Sequence, residues 1–418
     1  MNRSRNIRRD TVARPTAGRR RAATACIAVL ASLLLVACGG GSADAVDGSG
    51  GQGAGTGLSP AARLGQRIFS DASLSASGRQ SCASCHDPAH AHAPPNDLAI
   101  PLGGPDGEVS GFRAVPSLRY LATTPAFFID RDGTPTGGFD RDGRASTLAE
   151  QARRPLLAPH EMANADVATV ARKLALAAYA DDFRAVFGAG ILDDPEAAFA
   201  RAVFAIERFE REDPSFAPYS SRFDAFLAGS GTLTDQELRG FALFNSPAKG
   251  NCASCHPSAR GSDGSAPLFT DFTYDNLGVP RNAAIPATAD ATYFDLGLCG
   301  PDRTDGLAAT RPDLCGAFKV PTLRNVATRH AFFHNGRFTT LAQTLRFYVT
   351  RDTDPAAWYP VVDGVVQKFD DLPARYRANV NTTEAPYNRR PGMAPALSDD
   401  EIADVAAFLD TLTDADLR

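Results

Sequence analysis

Beyond residue 57, apolar positions recur at helical spacing in several separate stretches. Short helices are predicted at Leu64–Phe69 ("LGQRIF") and Arg239–Phe244 ("RGFALF"). Longer ones are predicted at Asp166–Phe187 and Pro195–Phe209. A last one follows Ser398, with Ile402, Val405, Phe408, Leu409 and Leu412 on one face. Thr234-Asp-Gln-Glu237 and Ser398-Asp-Asp-Glu401 are capping boxes, in which a hydroxyl and a carboxylate satisfy the first free amides of a helix. Gly/Pro-rich loops separate these stretches, and no βαβ alternation appears. The expected fold class is mainly α.

The pattern also repeats. "VPSLRYLATTPAFF" (Val115–Phe128) matches "VPTLRNVATRHAFF" (Val320–Phe333) at a constant offset of 205 residues. "DGRASTLAEQARRPL" (Asp142–Leu156) matches "NGRFTTLAQTLRFYV" (Asn335–Val349) at an offset of 193. Ahead of these segments the chain reads "CASCH" twice, at Cys82–His86 and Cys252–His256. Two homologous domains are therefore predicted, 58–220 and 221–418. A stretch at 354–396, which contains the lone Trp358, has no counterpart in the first.

Two cysteines three apart, followed at once by histidine, form the c-type haem attachment pattern. The thiols add to two vinyl groups of one porphyrin, and the histidine reaches the iron. A zinc site needs two Cys-x-x-Cys units on one ion, and here each pair carries its own histidine. The expectation is two tandem cytochrome c-like domains, each with one covalently attached c-type haem. Cys82 and Cys85 hold the first, with His86 on its iron. Cys252 and Cys255 hold the second, with His256. Cys299 and Cys315 flank a loop and are expected to form a disulfide in an oxidising compartment, contributing about 3 kcal/mol.

The repeat alignment predicts an unequal pair. Tyr348 falls opposite Pro155. A phenol oxygen binds ferric iron and a proline does not. If this position faces each haem, the second is six-coordinate and the first keeps an open site for a small ligand. Gln151 and Glu161 flank Pro155 and are candidate groups for that open pocket. A carboxylate there can move a proton between the oxygens of peroxide.

The N-terminus differs from the rest. Residues 1–37 hold eight arginines and one aspartate, and Ala22–Ala37 is nearly uncharged. This is expected to be a secretory signal, too short for a membrane span of about 20 residues. It ends "LLVAC", a lipoprotein-type signal in which Cys38 is lipidated. Residues 38–57 are a flexible Gly-rich tether, with nine glycines in 39–57. The expected location is the periplasm, with a lipid anchor at Cys38 as the one contact with a membrane.

The chain has 418 residues, 44% hydrophobic and 22% charged, which is ordinary for globular protein. Without residues 1–37 its net charge goes from −5 to −12. That leaves no electrostatic footprint for nucleic acid. It permits docking of a basic redox partner.

Taken together, "CASCHDP", "FRAVPSLRY", "DGRASTLAEQARRPL", "FKVPTLRNVATRHAFFHNGR" and "LSDDEIADVAAFL" resemble the bacterial diheme cytochrome c peroxidases, in their MauG-like branch. The resemblance implies that the first haem is the peroxidatic site, with Gln151 and Glu161 beside it. It implies that the second haem transfers electrons. Its sixth ligand is Tyr348 by the branch pattern, and Met393, in "GMAPALSDDEI", is the second candidate. The implied partners are hydrogen peroxide and either a small redox protein, a cytochrome c or cupredoxin, or a protein substrate.

The chain departs from the family in places. Arg141 stands where an inter-haem tryptophan is common. Ala114 stands where an asparagine helps hold calcium, which counts against calcium bound in that manner. His90 and His92 come too early for the distal histidine of ordinary members and are expected to be solvated loop residues. His160, His330 and His334 are expected in supporting or structural roles. Two functions stay open at this point: a peroxide-reducing enzyme, and a diheme electron-transfer cytochrome without chemistry of its own.

Overall fold

A computed structural model describes residues 57–418. The expected signal, the Cys38 anchor and nearly all of the tether lie outside the described residues.

The first helix, α1 (Pro60–Phe69), starts at Ser59, whose side chain accepts from the Ala62 amide, and has proline in its first turn. Then come α2 (Leu148–Leu157), α3 (Val167–Leu176), α4 (Ala180–Phe187) and α5 (Pro195–Glu212). In the second half lie α6 (Arg222–Leu227), α7 (Asp235–Asn245), α8 (Leu341–Thr350) and α9 (Asp399–Asp410). Both expected capping boxes are present, at the starts of α7 and α9. The described strands pair as two-residue antiparallel ladders, such as Tyr274–Asp275 with Phe318–Lys319.

One stretch differs from expectation. The helix predicted over 166–187 is broken between Leu176 and Ala180. There the chain turns extended at Ala177, and the Tyr179 hydroxyl donates to Asp71 Oδ2 at 2.7 Å. A contact with a residue 108 positions away overrides local helical propensity.

Each half is organised by one helix crossing. α1 packs on α5 through Gly65, where an added Cβ would lie 1.9 Å from the Ala205 carbonyl oxygen. α7 packs on α9 through Gly240, where an added Cβ would lie 1.9 Å from the Asp404 carbonyl oxygen. These glycines occupy matching places in "LGQRIF" and "RGFALF". Around the first crossing Leu64, Phe69, Leu174, Phe183, Phe199 and Ile206 form one core. Around the second Phe223, Phe244, Phe269, Val405, Phe408 and Leu409 form another. A smaller cluster, including Phe338, Phe347, Tyr359 and Phe369, seats the 354–396 stretch against α8.

The sequence repeat is also a repeat of backbone shape. Tyr120 and Asn325, 205 apart, both take left-handed conformations, with φ of 65° and 61°. Asp140 and Phe333, 193 apart, do the same at 63° and 64°. Thr147 and Thr340 each cap the helix that follows.

Gly65→Ala and Gly240→Ala must push two backbones apart. Each is expected to lower stability by about 3 kcal/mol, at the top of the usual range for overpacking. Thermal melting checks this, and an unchanged melting temperature would refute the crossing.

Candidate active site

Each Cys-x-x-Cys-His segment follows the glycine-bearing helix of its half, α1 in one and α7 in the other. Cys82–Cys85 forms one helical turn, and Cys252–Ser254 a 3₁₀ turn. None of these four cysteines is in a disulfide. Burial pushes the Cys82 and Cys252 thiols up to about 12, and Cys85 and Cys255 up to about 11. Thiol–disulfide exchange needs easily ionised thiols, so the environment is wrong for it.

Each histidine is held by a backbone carbonyl. His86 Nδ1 donates to the His92 carbonyl at 3.2 Å, and His256 Nδ1 to the Phe269 carbonyl at 2.7 Å. With Nδ1 as the donor, Nε2 carries the lone pair that binds a metal. Burial lowers both rings, His86 to about 4, so both are neutral near pH 7. Two thiols beside a carbonyl-oriented imidazole fit a haem at each site.

A cavity of about 320 Å³ adjoins the second set. Cys252, Cys255 and His256 line it, together with Tyr348 and Tyr387. The two phenol rings lie 6.0 Å apart, and Arg351 sits 4.6 Å from the centre of the Tyr387 ring. Burial raises both phenols. Met393 is placed elsewhere. It is 49% exposed and does not line the cavity, so the structure offers no support for the second candidate ligand. Within its loop Arg389 donates to the Ala394 carbonyl at 2.9 Å. Tyr387 is a cavity residue that the sequence reading missed, because it lies in the stretch with no repeat counterpart.

At the first set, Pro155 holds the helix position that Tyr348 holds in α8, each the eighth residue after its threonine cap. The Pro155 carbonyl accepts from the Met162 amide at 3.0 Å, which draws the chain around to Glu161. Burial, then the neighbouring Asp140 charge, pushes the Glu161 carboxyl up to about 7. Glu161 in turn acts on the Cys85 thiol. Gln151 lines the cavity and its Nε2 lies 3.5 Å from Asp140 Oδ1. Arg144 Nε lies 3.3 Å from Asp140 Oδ2. Gln151 thus touches Asp140, whose charge also acts on Glu161.

The remaining expected residues fall as follows. Cys299 and Cys315 are joined in a disulfide. His90 is a surface residue, 3.0 Å from Asp87. His92 is not solvated, contrary to expectation. It is fully buried, stacked on Phe216 at 3.8 Å, with Nε2 2.9 Å from Ser215 Oγ. Its carbonyl orients His86, a role set by the fold that no local motif announces. His160 lies against Phe112, His330 is exposed, and His334 stacks on Phe318 at 3.7 Å. The Ala114 carbonyl accepts from Arg141 Nε at 2.9 Å, so a cation of the chain already occupies it.

Buried ion pairs tie the halves together around the site. Arg113 donates to both oxygens of Asp295, at 2.6 and 2.8 Å, and to Asp142 at 2.8 Å. Burial works to raise Asp295, and the Arg113 guanidinium overcomes it, holding the carboxyl below its usual range. Its stabilising effect is present above the usual carboxylate range and lost as pH falls through the depressed value. Arg113→Ala strands Asp295 in the interior. It is expected to cost about 3–5 kcal/mol near neutral pH, measured by denaturant unfolding. A loss below 1 kcal/mol would show that the pair does not hold the halves.

Comparison with known proteins agrees with this geometry. The family model described as di-haem cytochrome c peroxidase matches residues 59–232. Methylamine utilization protein MauG of Paracoccus denitrificans is 39% identical over 297 residues, covering 69% of this chain and 73% of that one. Cytochrome c551 peroxidase of Nitrosomonas europaea is 29% identical over 300 residues, covering 68% and 71%. The crystal structure of the diheme peroxidase BthA from Burkholderia thailandensis superposes with a TM-score of 0.79 at 43% identity, covering 86% of this chain and 87% of that one. With two matched Cys-Cys-His sets on one repeated frame, the chain belongs to the MauG-like di-haem cytochrome c peroxidase family.

Proposed function

We propose that this protein reduces hydrogen peroxide at the first of two covalently attached c-type haems, with electrons passed through the second. Domain 58–220 holds the peroxidatic haem on Cys82, Cys85 and His86. Domain 221–418 would hold the electron-transfer haem on Cys252, Cys255 and His256, with Tyr348 as a further iron ligand. The observation that carries the reading is the non-equivalence of one helix position, Pro155 in α2 against Tyr348 in α8. An electron carrier gains nothing from an open position with a buried acid beside it.

When bound, the haem at His86 supplies the two-electron redox chemistry. The chain supplies the proton handling. The Glu161 carboxylate would take a proton from one oxygen of peroxide and return it to the other. Gln151 orients the bound molecule. The electrons come from a periplasmic donor, a small cytochrome c or cupredoxin, or from a protein substrate that is itself oxidised. Residues 1–37 act as a lipoprotein signal, and Cys38 anchors the protein to a membrane through the 38–57 tether. No helix among the described residues is long and apolar enough to cross a membrane.

The ferric protein is expected to carry two haems by mass, one high-spin and one low-spin by electron paramagnetic resonance. Tyr348→Phe should alter only the low-spin signal, and Met393→Leu neither. The reverse result would move the ligand to Met393. One haem or none in matured protein ends the reading.

Glu161→Gln should leave resting spectra nearly unchanged and slow the reaction with peroxide by about 10²–10⁴ in stopped flow. The working form is the carboxylate, and the carboxyl is held up near 7. The wild-type rate should therefore fall as pH drops below about 7, and the variant should lack that limb. Wild-type protein with no fast reaction in either the ferric or the half-reduced state would be an electron carrier.

A further inference from the structure

Buried guanidinium groups in this protein come with carboxylates. Arg119 meets Asp414 at 2.9 Å, Arg324 meets Asp224 at 2.9 Å, and Arg351 meets Asp352 at 2.6 Å. Arg113 meets Asp295 and Asp142. Three other cations break this pattern, and all three line the cavity next to His256: Arg141, Lys319 and Arg329. Among the described residues none of them has a carboxylate within 4.0 Å. They donate only to backbone carbonyls. Arg141 bonds to Ala114, Lys319 Nζ to Gly138 at 2.5 Å, and Arg329 to Val115. The Lys319 amide also donates to the Arg141 carbonyl at 2.9 Å, which ties the two residues together. Arg329 reaches from the second half of the chain to a backbone carbonyl of the first, that of Val115, while lining the cavity that His256 lines.

Three half-buried positive charges at a cavity wall, with only carbonyl partners, are unfavourable unless an anion joins them. The geometry points to an anion site: Arg141, Lys319 and Arg329 form a cationic strip that receives propionate carboxylates of the haems and fixes a positive charge between the two redox sites. Two planar guanidinium forks and one ammonium match carboxylates well. The inference rests on the diheme reading above and adds residues that neither the repeat nor the attachment motif marks. Its functional consequence is electrostatic. A positive charge beside an iron disfavours the oxidised form, so the strip raises the reduction potentials of the haems it touches.

The test uses the matured holoprotein. Arg141→Gln, Lys319→Gln and Arg329→Gln are each titrated by spectroelectrochemistry, and their propionate bending bands are read by resonance Raman. Each variant should lower the potential of at least one haem and shift a propionate band. Arg141→Lys should retain most of both. Arg239→Gln, at an exposed pair with Asp404, should change neither. Variants that carry two haems with wild-type potentials and bands overturn the inference. So does a potential that moves with added inorganic phosphate while the propionate bands stay fixed, because the strip then binds free anions. If Arg141→Gln fails to mature, the Lys319→Gln and Arg329→Gln results decide by the same criteria. Protein without two haems refutes the functional reading itself, a separate result visible by mass.

Discussion

Backbone against backbone at Gly65 and Gly240 is the constraint on which the rest depends. Helices normally meet through side chains at 8–10 Å between axes. Here each crossing puts a glycine directly on a carbonyl oxygen, leaving no room for a single carbon. That closeness lets the flanking large side chains, Leu64, Phe69 and Phe209 in one half and Phe244, Phe408 and Leu409 in the other, wrap the crossing and form a core. The Cys-x-x-Cys-His turn follows the glycine-bearing helix in both halves. The direction of its histidine is set by a backbone carbonyl from outside the crossing, that of His92 in one half and of Phe269 in the other.

On this repeated frame, the two halves present different side chains. Left-handed residues recur at Tyr120 and Asn325, and threonine caps recur at Thr147 and Thr340. Side chains placed by these equivalent backbones then diverge. One half has Pro155 with a carboxyl held near neutral pH beside it; the other has Tyr348 with a second phenol, Tyr387, in the same cavity. A duplicated scaffold supplies geometry twice, and each copy is free to specialise.

Charge is handled in two ways in the interior. Arg113, Arg119, Arg324 and Arg351 are neutralised by aspartates, several from distant parts of the chain, and these pairs brace the loops that surround the site. Arg141, Lys319 and Arg329 are left to carbonyl oxygens at the cavity wall. Burial holds Arg141 down to about 9, Lys319 to about 8 and Arg329 to about 10, the mark of cations short of counter-charge. Paired charges serve the fold, and these unpaired ones face the ligand space.

By itself the sequence determined what is local or repeated. Helix caps, the apolar stripe of α9, the glycine-bearing helices, the paired attachment motifs and the non-equivalence of Pro155 and Tyr348 are all legible there. Each depends on neighbours within a few residues or on comparison of the two copies. Tertiary structure decided what depends on distant partners. It broke the 166–187 helix because Tyr179 reaches Asp71, and it buried His92 under Phe216 so that its carbonyl could orient His86. It turned Met393 outward and brought Tyr387 in, although both lie in the same unrepeated stretch. It also left three cations without carboxylates. Burial and pairing are properties of contacts made across hundreds of residues, and no local pattern encodes which side chain will find a partner and which will face a cavity.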